Sequence, residues 1–219
     1  MLKPLSFEER AARHAALGDP VRLAVVDRLA HSDRSPQELQ RMVGIPSNLL
    51  AHHLEVLEGV GLIVRGRSSG DGRRRYVHLL TDAIDELGIR LPVDPQPALF
   101  VCTANSARSQ LAAALWTEVF GTPALSAGTH PASAVHPGAK AAAKRDGLDL
   151  GNATPRKLDD VTDRPALVVT VCDRAYEELD PGDEWLHWSI PDPVPDGSRA
   201  AFDRTVDELR TRIRSLHAA

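Results

Sequence analysis

The chain has 219 residues, enough for one or two domains, and its 26 Lys and Arg against 30 Asp and Glu leave a formal net charge of −4. This balance excludes a uniformly basic nucleic-acid-binding protein, so any contact with nucleic acid needs a local basic patch. No apolar run reaches membrane-spanning length, no signal peptide begins the chain, and two cysteines cannot form a disulfide framework. We therefore expect a cytoplasmic protein with reduced thiols and no membrane contact.

Four short helices are predicted in the first 60 residues, at 7–17, 20–31, 36–43 and 47–58. Apolar residues at helical spacing fill each stretch, and glycine or proline separates one stretch from the next. Ser35 and Glu38 form a capping box at the start of the third helix. The third and fourth helices, joined by a short turn, indicate a helix-turn-helix.

The fourth predicted helix has two different faces. Leu50, Leu54 and Leu57 repeat at i, i+4 and i+7 and predict a buried stripe, with His53 at its edge as a structural residue. Polar side chains cover the opposite face, and the candidates for contact with base edges in a major groove are Ser47, Asn48 and His52. A plain solvated face is the alternative interpretation of this pattern.

A β-hairpin is predicted next, with strands at 62–67 and 73–80 around a loop at 68–72. Five arginines lie on this hairpin with little acid among them: Arg65, Arg67, Arg73, Arg74 and Arg75. Such a cluster fits contact with phosphates or with a minor groove. We therefore predict that the hairpin is the wing of a DNA-binding domain.

This half resembles the winged helix-turn-helix repressors of the ArsR family. The stretches that carry the resemblance are Leu17-Gly18-Asp19-Pro20-Val21-Arg22-Leu23, Ala51-His52-His53-Leu54-Glu55-Val56-Leu57 and Gly61-Leu62-Ile63. The resemblance implies a homodimer that binds a duplex DNA operator and releases it on binding a metal or metalloid. Residues 1–97 contain no cysteine, so the thiolate site common in that family is absent. The histidines show no spacing typical of a metal site, and we predict none.

Two short stretches separate this half from the rest of the chain. Residues 81–87 predict a helix that completes the dimer packing, and the proline-rich residues 92–97 predict a semi-rigid linker. We therefore predict a winged-helix α+β domain at 1–91 and an α/β domain at 98–219. Since the first domain lacks cysteine, a sensing group is expected in the second.

The second half is organised around the loop that joins an apolar strand at 97–101 to a helix running from Ser109 to Phe120. Such a loop aims successive N–H groups at one point, where the helix dipole adds positive potential. Cys102 is the candidate nucleophile, and we expect its thiol pKa to be lowered. Ser109 can donate a hydrogen bond to the thiolate, and Asn105 can close the loop in a left-handed conformation.

The remaining loop residues complete a predicted site for a tetrahedral oxyanion. Arg108 can hold two oxygens of the anion with its planar guanidinium. The predicted oxyanion-binding residues are Thr103, Ala104, Asn105, Ser106, Ala107 and Arg108. The alternative is a buried cysteine at a strand end with a surface arginine nearby.

Strands and helices alternate through the rest of the second half. Strands are predicted at 124–129, 166–171 and 185–190, and helices at 137–146 and 202–216. Alternation of this kind implies a parallel sheet covered by helices on both faces, hence a three-layer α/β fold. The oxyanion loop would then lie at the carboxyl end of a strand, where ligands bind in such sheets.

Residues 98–216 resemble the low-molecular-weight protein tyrosine phosphatases and the arsenate reductases built on the same fold, above all from Cys102 to Ser109. The resemblance implies that Cys102, Asn105, Arg108 and Ser109 act in catalysis. It also implies that Asp192, which lies between two prolines, is the general acid for the leaving group. An aspartate in an ordinary proline turn is the alternative.

Three features resemble the reductases more than the phosphatases: Cys102-Thr103 followed by Asn105-Ser106, Ser126-Ala127-Gly128, and Val169-Thr170-Val171-Cys172-Asp173 leading to His187-Trp188. Cys172 matches the second thiol of the thioredoxin-coupled enzymes, but Leu179 stands where their third cysteine is found. Ala104 and Ala107 also replace a common glycine and a common cysteine. An internal cysteine relay therefore cannot be completed, and a small thiol such as mycothiol or glutathione is the expected co-substrate, with no tightly bound cofactor.

The two resemblances together predict a DNA-binding regulator fused to a thiol-dependent arsenate reductase, acting in arsenic resistance. One alternative is a transcription factor whose phosphatase-like domain is an oxyanion or redox sensor with little turnover. Another is an active phosphatase for phosphotyrosine or small phosphates.

Overall fold

The computed structural model describes residues 6–85, 87 and 96–216. The chain divides into two compact units, of which the first holds Met1–Arg67 and Arg73–Leu91 and the second holds Ser68–Gly72 and Pro92–Ala219. Most of the predicted linker, residues 92–95, lies outside the described residues, as do residues 86 and 88–91 at the end of the predicted first domain.

The described residues of the first unit form four helices, a two-stranded hairpin and a short fifth helix. Their bounds are α1 Phe7–Leu17, α2 Pro20–Leu29, α3 Pro36–Val43, α4 Ser47–Gly59, β1 Ile63–Arg67, β2 Arg75–Leu79 and α5 Thr81–Asp85. The strands β1 and β2 are antiparallel and pair Arg65 with Val77. The predicted order of elements is confirmed, and the helix-turn-helix consists of α3 and α4.

Local residues explain where these helices begin and end. Ser35 and Glu38 form the predicted capping box at the start of α3, and Gly44 ends that helix with a φ of 69°. The predicted end of α2 at residue 31 is wrong, because the helix stops at Leu29. The backbone of Arg34 instead exchanges two hydrogen bonds with Val77 of β2, at 3.3 and 2.8 Å, which requires an extended chain there.

The core of the first unit forms around the apolar face of α4. Leu50, Leu54 and Leu57 are buried as predicted. His53 is also buried, and its Nδ1 lies 3.6 Å from Oδ1 of Asp19, which caps the start of α2. His53 is therefore a structural residue that is not available to DNA.

The second unit is a parallel sheet with alternating helices. Its elements are β3 Ala98–Cys102, α6 Arg108–Phe120, β4 Ala124–Gly128, α7 Pro137–Arg145, β5 Leu167–Thr170, α8 Asp173–Leu179, β6 Leu186–His187 and α9 Arg199–Ser215. The strand order is β4-β3-β5-β6, and every neighbouring pair is parallel. All five residues of β3 are buried, and since their side chains alternate between the faces, the sheet is covered on both sides.

The predicted α/β class is confirmed, but the bounds of several elements differ from the prediction; α9, for example, begins at Arg199 and not at residue 202. The helix α6 begins at Arg108, one residue earlier than predicted. The helix α8 was not predicted, because seven residues give too few turns for a recognisable apolar period. The strand β6 contains only Leu186 and His187 of the predicted six residues, because the chain leaves the sheet edge after pairing Thr170 with His187. None of the helices in the described part of the chain is both long and apolar enough to cross a membrane.

Candidate functional site

The candidate site lies where β3 gives way to α6. Cys102 is the last residue of β3, and Arg108 is the first residue of α6. The strand β3 is inside the sheet, so the loop between these residues opens at the carboxyl end of a central parallel strand. Gly128 ends the neighbouring strand β4, and a Cβ there would lie 2.6 Å from the carbonyl oxygen of Thr103. Glycine is therefore required for the loop to pack against β4.

Backbone hydrogen bonds turn the carbonyl groups of the loop away from its centre. Four of these carbonyl oxygens accept hydrogen bonds from backbone N–H groups of the segment after β4. The pairs are Cys102 with Thr129 at 3.2 Å, Thr103 with His130 at 2.8 Å, Ala104 with Ala132 at 2.9 Å and Ser106 with His136 at 2.8 Å. The N–H of a trans peptide points opposite to its C=O, so the N–H groups that follow these carbonyls face the interior of the loop. A ring of this kind binds anions through backbone donors.

Cys102 lies at the base of this ring. Its side chain is buried, and its Sγ accepts a hydrogen bond from the N–H of Asn105 at 3.1 Å. Asn105 has a φ of 48°, the left-handed conformation that was predicted to close the loop. Ser109 Oγ lies 3.0 Å from the sulfur and accepts from Nδ2 of Asn105 at 2.8 Å. The hydroxyl hydrogen of Ser109 is thus free to donate to a Cys102 thiolate.

The predicted lowering of the Cys102 pKa is wrong for this conformation. Burial raises the pKa of the thiol, while Arg108 and the hydrogen bond from Ser109 lower it and the nearby Cys172 raises it further. Burial has the largest effect of these. Arg108 itself also has an acidic partner.

That partner is Asp192. The Nη2 atom of Arg108 lies 3.1 Å from Oδ2 of Asp192, and its Nη1 donates to the carbonyl oxygen of Ile190 at 2.9 Å. Burial lowers the pKa of Arg108, but Cys172, Cys102 and Asp192 raise it more, so the net direction is upward. Arg108 is buried, whereas 37% of the Asp192 side chain is exposed. The structure thus brings the predicted general acid beside the loop, at its solvent side.

The second cysteine also lies against the loop. Cys172 lies two residues after the end of β5, and its Sγ lies 3.3 Å from Oγ1 of Thr103. Both cysteines are buried free thiols. Leu179, which stands at the position of the expected third cysteine, is the last residue of α8, the helix that begins directly after Cys172.

Two buried groups near the site were not predicted. His187 Nε2 lies 3.2 Å from Oδ1 of Asp173, the neighbour of Cys172, and its Nδ1 lies 2.9 Å from Oγ1 of Thr170. Gln110, on the first turn of α6, directs its side-chain amide at Asn105. The sequence indicates His187 only through the resemblance to the reductases, because Asp173 becomes its neighbour only when the chain is folded, and it gives no signal for the contact of Gln110 with Asn105.

The predicted DNA-binding side chains all lie on the first unit. Ser47, Asn48 and His52 are exposed on α4, and Arg67, Arg73, Arg74 and Arg75 are exposed on or beside the hairpin. Arg65 differs from them, because it is partly buried and its Nε donates to Oε2 of Glu58 on α4 at 2.9 Å. The hydrogen bond from Arg65 lowers the pKa of Glu58. An acidic residue of α4, outside the hairpin, thus pairs with Arg65, one of the arginines predicted to contact DNA.

Comparisons with known proteins agree with these two units. A family model described as low molecular weight phosphotyrosine protein phosphatase matches residues 98–219, and one described as a helix-turn-helix domain matches residues 17–66. Arsenate reductase 2 of Staphylococcus haemolyticus is 33% identical over 129 residues, which are 57% of this chain and 98% of that protein.

Solved structures that match about half of this chain include both reductases and phosphatases. The crystal structure of an arsenate reductase from Archaeoglobus fulgidus is 29% identical, with a TM-score of 0.45 over 54% of this chain and 97% of that one. An arginine phosphatase from Geobacillus stearothermophilus is 27% identical and has a TM-score of 0.46; the match covers 55% of this chain and 89% of that one. The predicted combination is confirmed by the family models and the sequence relative: the chain belongs to the low-molecular-weight phosphotyrosine protein phosphatase family, which includes arsenate reductases, and carries a helix-turn-helix domain before it.

Proposed function

We propose that this protein is a DNA-binding regulator of arsenic resistance, with a winged-helix domain at 1–91 and a thiol-dependent arsenate reductase domain at 98–219. The observation that carries the proposal is the convergence of Cys102, Arg108 and Asp192 on one anion-binding loop. The sequence relative named as an arsenate reductase supports arsenate as the substrate.

In the first step, the thiolate of Cys102 attacks the arsenic atom of arsenate. A sulfur–arsenic bond forms and one arsenic–oxygen bond breaks, and the leaving oxygen departs as water after it takes a proton from Asp192. The inward N–H groups and Arg108 bind the remaining oxygens. Asp192 must carry a proton to do this, and in that form it no longer neutralises Arg108. The protonation that prepares the acid therefore also returns the positive charge of Arg108 to the anion and the thiolate.

In the second step, a small thiol such as mycothiol or glutathione attacks the sulfur of Cys102. The sulfur–arsenic bond breaks, its electron pair stays on arsenic, and As(V) leaves as arsenite while Cys102 is left in a mixed disulfide. A second thiol then regenerates Cys102 and leaves as a disulfide with the first. Two thiols thus supply two electrons. Cys172 is close enough to the loop to act as a second thiol, but Leu179 removes the next cysteine of an internal relay.

The first unit supports the regulatory part of the proposal. Exposed polar residues on α4 would contact base edges, and the exposed arginines of the hairpin would contact phosphates. The protein would bind its operator as a homodimer formed through the winged-helix domain, so that two copies of α4 reach successive half-sites.

A second candidate function is supported by the buried thiol. Burial raises the pKa of Cys102, which disfavours the thiolate that acts as the nucleophile. A domain of this kind would turn over slowly and would suit an oxyanion or redox sensor that controls the DNA-binding unit. Turnover of phosphotyrosine or small phosphates is the third alternative, and it shares the same loop.

Arsenate reduction by the purified protein tests the main proposal. Arsenite release would be measured with mycothiol, glutathione and thioredoxin systems side by side, using Cys102→Ser as the inactive control. We expect turnover with a small thiol and none with thioredoxin alone. Turnover supported only by thioredoxin would contradict the thiol assignment, and hydrolysis of phosphate esters without arsenate reduction would support the phosphatase.

DNA affinity tests the regulatory part. At fixed salt, arsenite or arsenate is expected to weaken operator binding by the wild-type protein and not by Cys102→Ser. An effector response that persists in Cys102→Ser would exclude Cys102 as the sensing group. Absence of any response in the wild type would mean that arsenicals do not couple the two units.

A further inference from the structure

One carbonyl group of the oxyanion loop accepts no hydrogen bond from a backbone N–H of the residues that the structure describes. The carbonyls on either side of Asn105 accept from the backbone N–H groups of Ala132 and His136. The carbonyl oxygen of Asn105 instead accepts from Nε2 of Gln110 at 3.0 Å. Gln110 is 5% exposed, on the first turn of α6. A single side chain therefore completes the set of anchors that turn the loop carbonyls outward.

The same amide of Gln110 also reaches the side chain of Asn105. Its Nε2 lies 3.2 Å from Oδ1 of Asn105 and 3.4 Å from the carbonyl oxygen of Thr154. Three oxygen acceptors surround this one nitrogen, so the NH₂ group and not the carbonyl of Gln110 must face them. The backbone N–H of Arg156 donates to Oδ1 of Asn105 at 2.9 Å from another direction.

These contacts have two consequences for the bound anion and for the thiol. Holding the Asn105 carbonyl outward directs the following N–H, that of Ser106, toward the centre of the loop. Holding Oδ1 of Asn105 directs its Nδ2 at Ser109 Oγ, which leaves the hydroxyl hydrogen of Ser109 for the sulfur of Cys102. Gln110 thus acts on the anion through Ser106 and on the nucleophile through Asn105 and Ser109.

We propose that Gln110 is a positioning residue of the active site, which orients the Ser106 N–H toward the oxyanion and aligns the hydrogen-bond chain from Asn105 through Ser109 to Cys102. This inference rests on the proposed oxyanion function. It differs from a structural role, because it predicts changes in anion affinity and in thiol ionisation that loss of stability alone would not produce.

The test compares Gln110→Met, which keeps the length of the side chain without its donors, with Leu115→Ala. Leu115 is fully buried on the same helix and has no part in the loop, so its truncation lowers stability without touching these hydrogen bonds. Three quantities are measured for each protein: the thermal midpoint, the pH midpoint of Cys102 alkylation by iodoacetamide, and the phosphate concentration that protects Cys102 from alkylation.

For Gln110→Met we expect phosphate protection to weaken about tenfold, because the Ser106 N–H is no longer directed at the anion; a tenfold change corresponds to about 1.4 kcal/mol. The alkylation midpoint should rise by about half a pH unit, because the hydrogen bond from Ser109 to the thiolate is less well aligned. Leu115→Ala should lower the thermal midpoint and leave both other quantities unchanged. Gln110→Glu provides a rescue, because only its protonated form can donate, and its phosphate affinity should recover relative to Gln110→Met as the pH is lowered.

Each outcome separates the inference from the function on which it rests. If phosphate and arsenate fail to protect wild-type Cys102, the proposed oxyanion function is wrong. If they protect the wild type and Gln110→Met equally, or if Leu115→Ala produces the same shifts, Gln110 has only a structural role and the inference is overturned. If Gln110→Glu shows no recovery at low pH, donation from position 110 is not the cause.

Discussion

Removal of the Ser109 hydroxyl should raise the pKa of Cys102 by about one unit. In the folded chain Ser109 Oγ accepts from Asn105 and lies 3.0 Å from the sulfur, so its hydrogen can be donated to a thiolate. A hydrogen bond to a charged group contributes about 1.5–3 kcal/mol and one to a neutral group about 0.5–1.5 kcal/mol, which leaves about 1–1.5 kcal/mol favouring the ionised form. One pKa unit corresponds to about 1.4 kcal/mol, which gives the predicted shift for Ser109→Ala.

The assay is the rate of Cys102 alkylation across a pH series, in a Cys172→Ser background that leaves a single thiol. Loss of the Ser109 hydroxyl also leaves Nδ2 of Asn105 without this acceptor. The free-energy cost is the same for the thiol and the thiolate of Cys102, so it does not change the pKa. Thr117→Val is the matched control, because this residue of α6 loses a hydroxyl that donates to the carbonyl of Ala113, away from the loop. An unchanged midpoint in Ser109→Ala would refute the hydrogen-bond direction derived from the structure.

Three further predictions follow from the charges around the site and on the hairpin. In Asp192→Asn, Arg108 loses its carboxylate partner, so the pH midpoint of Cys102 alkylation should fall below that of the wild type. Arsenate turnover should also fall about a hundredfold, because the general acid is lost. A raised midpoint would contradict the role of this ion pair. Arg108→Lys keeps the charge but removes the planar donor pair, and phosphate protection of Cys102 should weaken at least about tenfold, whereas equal protection would exclude two-point binding. Changing Arg73, Arg74 and Arg75 together to Ala should weaken DNA binding for all sequences and reduce the slope of log affinity against log salt by roughly 2.7. An unchanged slope would show that these arginines do not contact phosphates.

Features that depend on a few neighbouring residues were predicted well from the sequence. The capping box at Ser35 and the glycine stop at Gly44 place the bounds of α3, and the spacing of leucines identifies the buried face of α4. The position of the loop from Cys102 to Arg108 belongs to this group, because the loop lies within one strand–loop–helix junction. Continuous apolar runs likewise predict buried parallel strands, since such strands are covered on both faces.

Features that depend on distant parts of the chain were decided only by the tertiary structure. Arg108 meets Asp192, and Arg65 meets Glu58, only after the segments between them fold. The direction of the Cys102 pKa shift was predicted wrongly for the same reason: the local helix terminus and Arg108 favour the thiolate, but the burial that raises the pKa depends on packing.

Gln110 shows the same division at a single position. Its place on the first turn of α6 follows from local sequence, but its role depends on the outward carbonyl of Asn105, which is held in a left-handed conformation within the folded loop. The sequence by itself thus determined most of the elements and the family, because short-range propensity and spacing specify them. The tertiary structure decided protonation, charge pairing and hydrogen-bond direction, because these depend on which groups burial brings into contact and removes from water.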